Sequence, residues 1–169
     1  MKTRRLAALG LLTGVALILF VIEAQIPPIV PIPGIKMGLA NIVTVFAVFM
    51  LGAKDGCLVL TGRVFLGAVF AGNFSSILYS AAGGLFAILT VIGLKRILRE
   101  KQIWVAGCLG AVAHGIGQML VAVPVSGTPS ILIYLPVLVV SGIITGIFTG
   151  LCAQVLVNRG SGLWKTIFK

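Results

Sequence analysis

The chain is poor in charge and poorer still in acid. Charged residues fill 9% of its 169 positions, and Glu23, Asp55 and Glu100 are the whole acidic complement. An ordinary soluble domain carries roughly 25% charged residues. With 59% hydrophobic residues and a mean hydropathy of +1.20, a soluble fold would have too little polar surface to cover its core. The composition therefore predicts one compact integral membrane domain, with no room for a soluble catalytic one. Cys57, Cys108 and Cys152 are odd in number and form no CxxC pair, which excludes a disulfide framework and a structural zinc site and leaves them as small apolar residues. The single histidine, His114, has no carboxylate or cysteine neighbour in sequence, so no metal site is expected. A phosphate-cradling GxxxxGK[ST] loop is missing, so the chain is not an ATPase. No haem-attachment, iron–sulfur or flavin motif is present, which argues against electron carriage.

What the chain does have is long apolar runs. A span needs about 20 apolar residues, fewer if protein shields part of it. Six are read: 6–24, 39–53, 57–72, 77–94, 103–123 and 131–157. The expected fold is all-α, a single transmembrane domain over 1–169 in which six helices form one bundle. The first run follows Lys2-Thr3-Arg4-Arg5, as in a signal peptide. It is longer than a signal core and lacks a small-x-small cleavage site, so it reads as an uncleaved span. The end, Ser161–Lys169 with Trp164 and Phe168, reads as a short interfacial piece.

The excess of 13 basic over 3 acidic residues is a signal of topology and not of nucleic-acid binding. With both termini in the cytoplasm, all lysines and arginines except Lys36 and Arg63 fall on the inner side. The connection "PPIVPIPGIKMGLAN", residues 27–41, is then extracytoplasmic. It holds four of the seven prolines, which remove backbone donors and favour a stiff extended path. Apolar, non-helical backbone is tolerated at membrane depth only under protein or beside a watery cavity. The connection is expected to fold back over the bundle as a cap.

Polar groups inside a membrane are expensive and ask for partners. Arg63 interrupts the third run about seven residues from its inner end, roughly 10 Å at helical rise. It either pairs structurally, with Glu23 or carbonyls, or grips a carboxylate or phosphate in forked geometry. His114 and Gln118 lie one turn apart, as an interhelical hydrogen bond or as the lining of a cavity. Asn41 opens the second run. In "AGNFSSILYS", Asn73, Ser75 and Ser76 either cap a helix or add donors to a site. Lys36, Asn41, Asn73 and Ser76 map to the outer end, with Gln118 in the outer half of its span. Convergent polar groups at one end of an apolar bundle are a candidate binding site. If Lys36, Arg63 and His114 share a cavity with only Glu23, that site favours an anion. Small residues also recur every four positions, at Gly10 and Gly14 and at Gly142, Gly146 and Gly150, which permits close helix packing.

Together, "PIPGIKMGLAN" at 31–41, "GRVFLG" around Arg63, "GNFSSILYSAAGG" at 72–84 and the six-span plan resemble the Gx transporter family, also described as heptaprenyl diphosphate synthase component I. The resemblance covers about residues 5–157. That family is distantly similar in plan to the substrate-binding S components of energy-coupling factor importers, whose first connection covers an outward-facing site. The resemblance implies that Lys36 and Asn41 are lid or site residues. It further implies that the small-residue face of the first span, with Ala8, Gly10, Gly14 and Ala16, docks a transmembrane coupling protein driven by cytoplasmic ATPases. Elongating prenyl synthases hold diphosphate through magnesium on clustered aspartates, and magnesium wants several oxygen ligands. One aspartate does not supply them, so the chain is not expected to be that enzyme.

The leading expectation is thus a multi-pass cell-membrane subunit, without cofactor, that binds a small anionic or diphosphate-bearing ligand through Lys36, Asn41, Arg63, Asn73, Ser76, His114 and Gln118. Two others stand beside it. One is a protein handling an isoprenoid diphosphate or quinone. The other is an assembly partner in a membrane redox pathway, in which the polar residues are structural.

Overall fold

The computed structural model describes the backbone of residues 2–27, 35–71 and 74–168, and the side chains of residues 3–27, 35–70, 77–99 and 101–160. It is all-α, with no strand among the described residues. In chain order come α1 (Lys2–Ala24), α2 (Asn41–Leu51), α3 (Ala53–Ala71), α4 (Phe74–Lys95), a 3-10 turn at Glu100–Gln102, α5 (Ile103–Ser126), a second 3-10 turn at Pro129–Tyr134, and α6 (Leu135–Phe168).

Among the described residues, four segments are long and apolar enough to cross a membrane: Thr3–Ala24, Ile77–Lys95, Ile103–Ser126 and Pro129–Gly160. The chain is a membrane protein. The expected second and third spans differ from this pattern. In place of a run over 39–53, α2 has 11 residues, roughly 16 Å or half a hydrocarbon core. In place of 57–72, α3 starts at Ala53 and takes Lys54 and Asp55 into its first turn. Gly52 alone makes the corner, at φ 108°, a conformation that suits glycine. Asp55 is stable there because a carboxylate favours a helix N-terminus and because Arg5 of α1 forms an ion pair with it. At the other end of the chain, the expected stop at Pro124 is delayed. α5 carries Pro124 inside its last turn and ends at Ser126, with Gly127 left-handed at φ 64°. The end of the chain is no separate piece, because α6 continues to Phe168.

The short helix α2 is the axis of the molecule. It packs against α1, α3, α4, α5 and α6. Val43, Thr44, Val45, Phe46, Ala47 and Val48 are buried in succession, so all sides of the helix are covered, as its uniform hydrophobicity requires. Leu12 and Ala16 of α1, Val59 and Leu60 of α3, Ile88 and Val91 of α4, Ile103 of α5, and Ala153 and Val157 of α6 complete this core. Its C-terminal carbonyls are met by a side chain from elsewhere: Lys95 Nζ donates to Val48 O at 2.6 Å and Phe49 O at 3.2 Å. A cation at that helix end also complements the dipole. Lys95→Met should lower stability by about 1–2 kcal/mol. Denaturation in detergent would read this as a fall in melting temperature, and an unchanged value would remove Lys95 as a cap.

Candidate functional site

The end of the bundle where α1 gives way to the first connection collects most of the buried polar groups. In α1, Ala8, Leu12, Ala16 and Phe20 recur every four residues and are all buried, because that spacing keeps them on one helical face. Glu23, one turn beyond Phe20, is carried inward with them and is 4% exposed. Its carboxylate accepts from the backbone N–H of Gly38 and, at 3.1 Å, of Leu39. The returning connection is thereby held just before α2 begins.

A second clamp comes from α5. With the Gln118 amide oriented to satisfy both neighbours, its nitrogen donates to Lys36 O at 3.0 Å. Its oxygen accepts from Lys36 N at 3.1 Å and from His114 Nε2 at 3.3 Å. A side-chain amide thus stands in for a neighbouring strand. Non-helical backbone packed into a bundle keeps its N–H and C=O satisfied in this way, by buried side chains. Ile35 is sunk into a satellite core of Tyr79, Met119, Ala122 and Leu138. Gly38 adopts φ 87°, and a β-carbon there would approach Asn41 Nδ2 to 2.7 Å and His114 Cδ2 to 3.4 Å. Only glycine fits that conformation and that gap. Gly83 of α4 makes comparable room, since a β-carbon would lie 2.9 Å from both His114 Nδ1 and Gln118 Cγ.

The charges are uneven. Arg63, ten residues into α3, is 3% exposed, and its Nε and Nη2 have no hydrogen-bond partner. These two atoms form one edge of the guanidinium, the edge that takes a carboxylate or phosphate in two parallel bonds. Arg63 interacts electrostatically with Glu23, Lys36 and His114. Lys36 lies half-buried with Nζ 3.4 Å from the centre of the Phe20 ring, in a cation–π contact. Burial pushes its ammonium below the ordinary lysine value, although Glu23 opposes this. Two cations therefore share a single carboxylate, which is already occupied by backbone donors. On α2, the amide nitrogen and oxygen of Asn41 and the hydroxyl of Thr44, one turn on, are also buried without partners. Leaving such groups unpaired costs on the order of 1–3 kcal/mol each.

Of the residues expected from sequence, Lys36, Asn41, Arg63, His114 and Gln118 are brought to one cluster. Asn73 and the side chain of Ser76 lie outside the described residues. Sequence reasoning missed Phe20, Thr44 and the clamping role of Glu23. The usable signal for Glu23 was its place one turn beyond Phe20, on the face of the small residues Ala8 and Ala16. The four expected docking residues do not form one face: Ala8 and Ala16 turn into the bundle, while Gly10 and Gly14 have open space where a β-carbon would stand.

Neither a curated protein nor a solved structure matches the chain. Residues 12–156 match a protein family along a stretch that takes in every element of the cluster, from Phe20 to Gln118. By that match the chain belongs to the family described as heptaprenyl diphosphate synthase component I.

Proposed function

We propose that this protein is the substrate-binding membrane subunit of a transporter, and that it takes a small anion beneath the connection between α1 and α2. The observation that carries the reading is Arg63, a buried guanidinium whose two-pronged edge is free. Evolving a charge into a membrane bundle and leaving it unpaired is costly unless a partner arrives. The half-length helix α2, starting inside the bundle beside that charge, supports the same reading, because interrupted helices are how transporters build sites near mid-membrane. In this reading α2 and α3 complete six helices, both termini are cytoplasmic, and the clamped connection is the extracytoplasmic cover. The chain performs no catalysis. Energy comes from a transmembrane coupling protein and cytoplasmic ATPases, since no nucleotide loop is in the sequence.

The family description favours a second reading, in which the same cations hold an isoprenoid diphosphate for a separate catalytic subunit. One experiment separates the two. The protein is purified in mild detergent, and the small molecules that accompany it are identified by mass spectrometry, beside Arg63→Ala. A water-soluble anion present with wild type and missing from a folded variant is the expected result. A prenyl diphosphate would favour the second reading. The same anion in both preparations would remove Arg63 from the site.

A further inference from the structure

We infer that the ligand of this site is a monocarboxylate bearing a neighbouring hydroxyl group, and not a diphosphate. This rests on the reading of the cluster as an anion site and names the class of anion.

Charge comes first. Within the cluster, Lys36 and Arg63 are cations, Glu23 is the carboxylate, and His114 counts as neutral. The formal surplus is one positive charge, which a monoanion cancels. A diphosphate would leave the buried site with a net negative charge, and uncompensated charge away from water is strongly unfavourable. Metal ions are the usual remedy for diphosphates, but the acids to recruit them are lacking here. The sequence has three acidic residues. Asp55 is paired with Arg5 at the opposite end, Glu100 follows the basic end of α4, and Glu23 is occupied by Gly38 and Leu39. No group of three potential metal ligands occurs among the described residues.

Geometry comes second. The free edge of Arg63 offers two parallel donors, which match the two coplanar oxygens of a carboxylate. The other unpaired groups, the Asn41 amide, the Thr44 hydroxyl and His114 Nδ1, carry no formal charge. The Asn41 amide has both a donor and an acceptor to satisfy. A hydroxyl gives and takes one hydrogen bond at the same atom, so one hydroxyl beside the carboxylate answers both. Gly38 lies between Asn41 and His114, and His114 lies in the field of Arg63, so Asn41, His114 and Arg63 belong to one cluster, with Thr44 one turn on from Asn41.

The test is equilibrium dialysis of the full chain in lipid nanodiscs, without added metal. The probes are radiolabelled lactate and glycerate, compared with inorganic phosphate and pyrophosphate. Wild type should bind lactate or glycerate at least tenfold more tightly than pyrophosphate. Arg63→Lys, which keeps the charge and loses the fork, should weaken that binding tenfold or more. Glu23→Gln, which adds one unit of net positive charge, should move the ratio about tenfold towards pyrophosphate; a melting curve confirms that each variant is folded. Pyrophosphate binding that is Arg63-dependent and as tight as lactate would overturn the monoanion assignment while leaving an anion site standing. No Arg63-dependent binding of either hydroxy acid would overturn the assignment outright. The anion that accompanies the purified protein judges the transporter reading separately.

Discussion

Gly107→Ala should cost about 2–3 kcal/mol of stability, from overpacking at a contact where backbone meets backbone. α5 and α6 touch along a seam of glycines. A β-carbon on Gly107 would run into the Cα of Gly150, and would lie 2.8 Å from Gly150 N and 2.9 Å from Gly146 O. Those atoms belong to main chain and do not swing aside as a side chain would. The helices must separate, and every contact along the seam weakens together. Gly115→Ala on the same helix is the control. Its β-carbon would meet Leu138 Cβ at 3.6 Å, an ordinary contact, so no loss is expected and helix propensity favours the alanine by up to about 1 kcal/mol. Unfolding by titration with a denaturing detergent measures both. Equal changes at the two positions would show that the close approach at Gly107 does not set the cost, since helix propensity alone would favour alanine at both.

The second large effect belongs to Glu23→Ala, for which a loss of about 3–4 kcal/mol is expected. The substitution leaves two backbone N–H groups without an acceptor and two cations without their counter-charge. Glu23→Gln should cost less, about 1–2 kcal/mol, because an amide oxygen still accepts. Hydrogen exchange gives a local readout. In the alanine variant the amides of Lys36, Gly38 and Leu39 should exchange much faster, while those in the middle of α5 should hold. If protection at residues 36–39 were unchanged, the carboxylate would not be what secures the connection. Gln118 grips the same segment from the other side, so Glu23→Ala and Gln118→Ala should be non-additive when combined, as substitutions sharing one element are.

The sequence disclosed the long elements and concealed the short one. α1, α4, α5 and α6 are apolar over enough residues that only a membrane explains them. α2 looks similar by composition, because a helix wrapped in protein and a helix wrapped in lipid demand the same side chains. Its true length depends on Gly52 and on the capture of its C-terminal carbonyls by Lys95, a residue 44 positions after Leu51 and invisible to local pattern. α3 began earlier than expected because Lys54 and Asp55 read as loop, and the Arg5 partner that settles Asp55 is likewise remote. In the candidate site, Arg63, His114 and Gln118 were legible because polar residues in apolar runs stand out. Glu23 stood out too, but its partners are backbone N–H groups, which carry no mark in a sequence.

The position of α2 also bears on how the protein is made. A helix too short to be held by lipid must be held by its neighbours, and most of them are synthesised after it. Lys95, which caps one end, and Gln118, which fixes the segment leading into the other, emerge from the ribosome long after α2 itself. Until α5 joins them, α1 and α3 carry Glu23 and Arg63 without all of the neighbours that bury them. The polar cluster is complete once α5 has joined it, and the core around α2 only once α6 has added Ala153 and Val157.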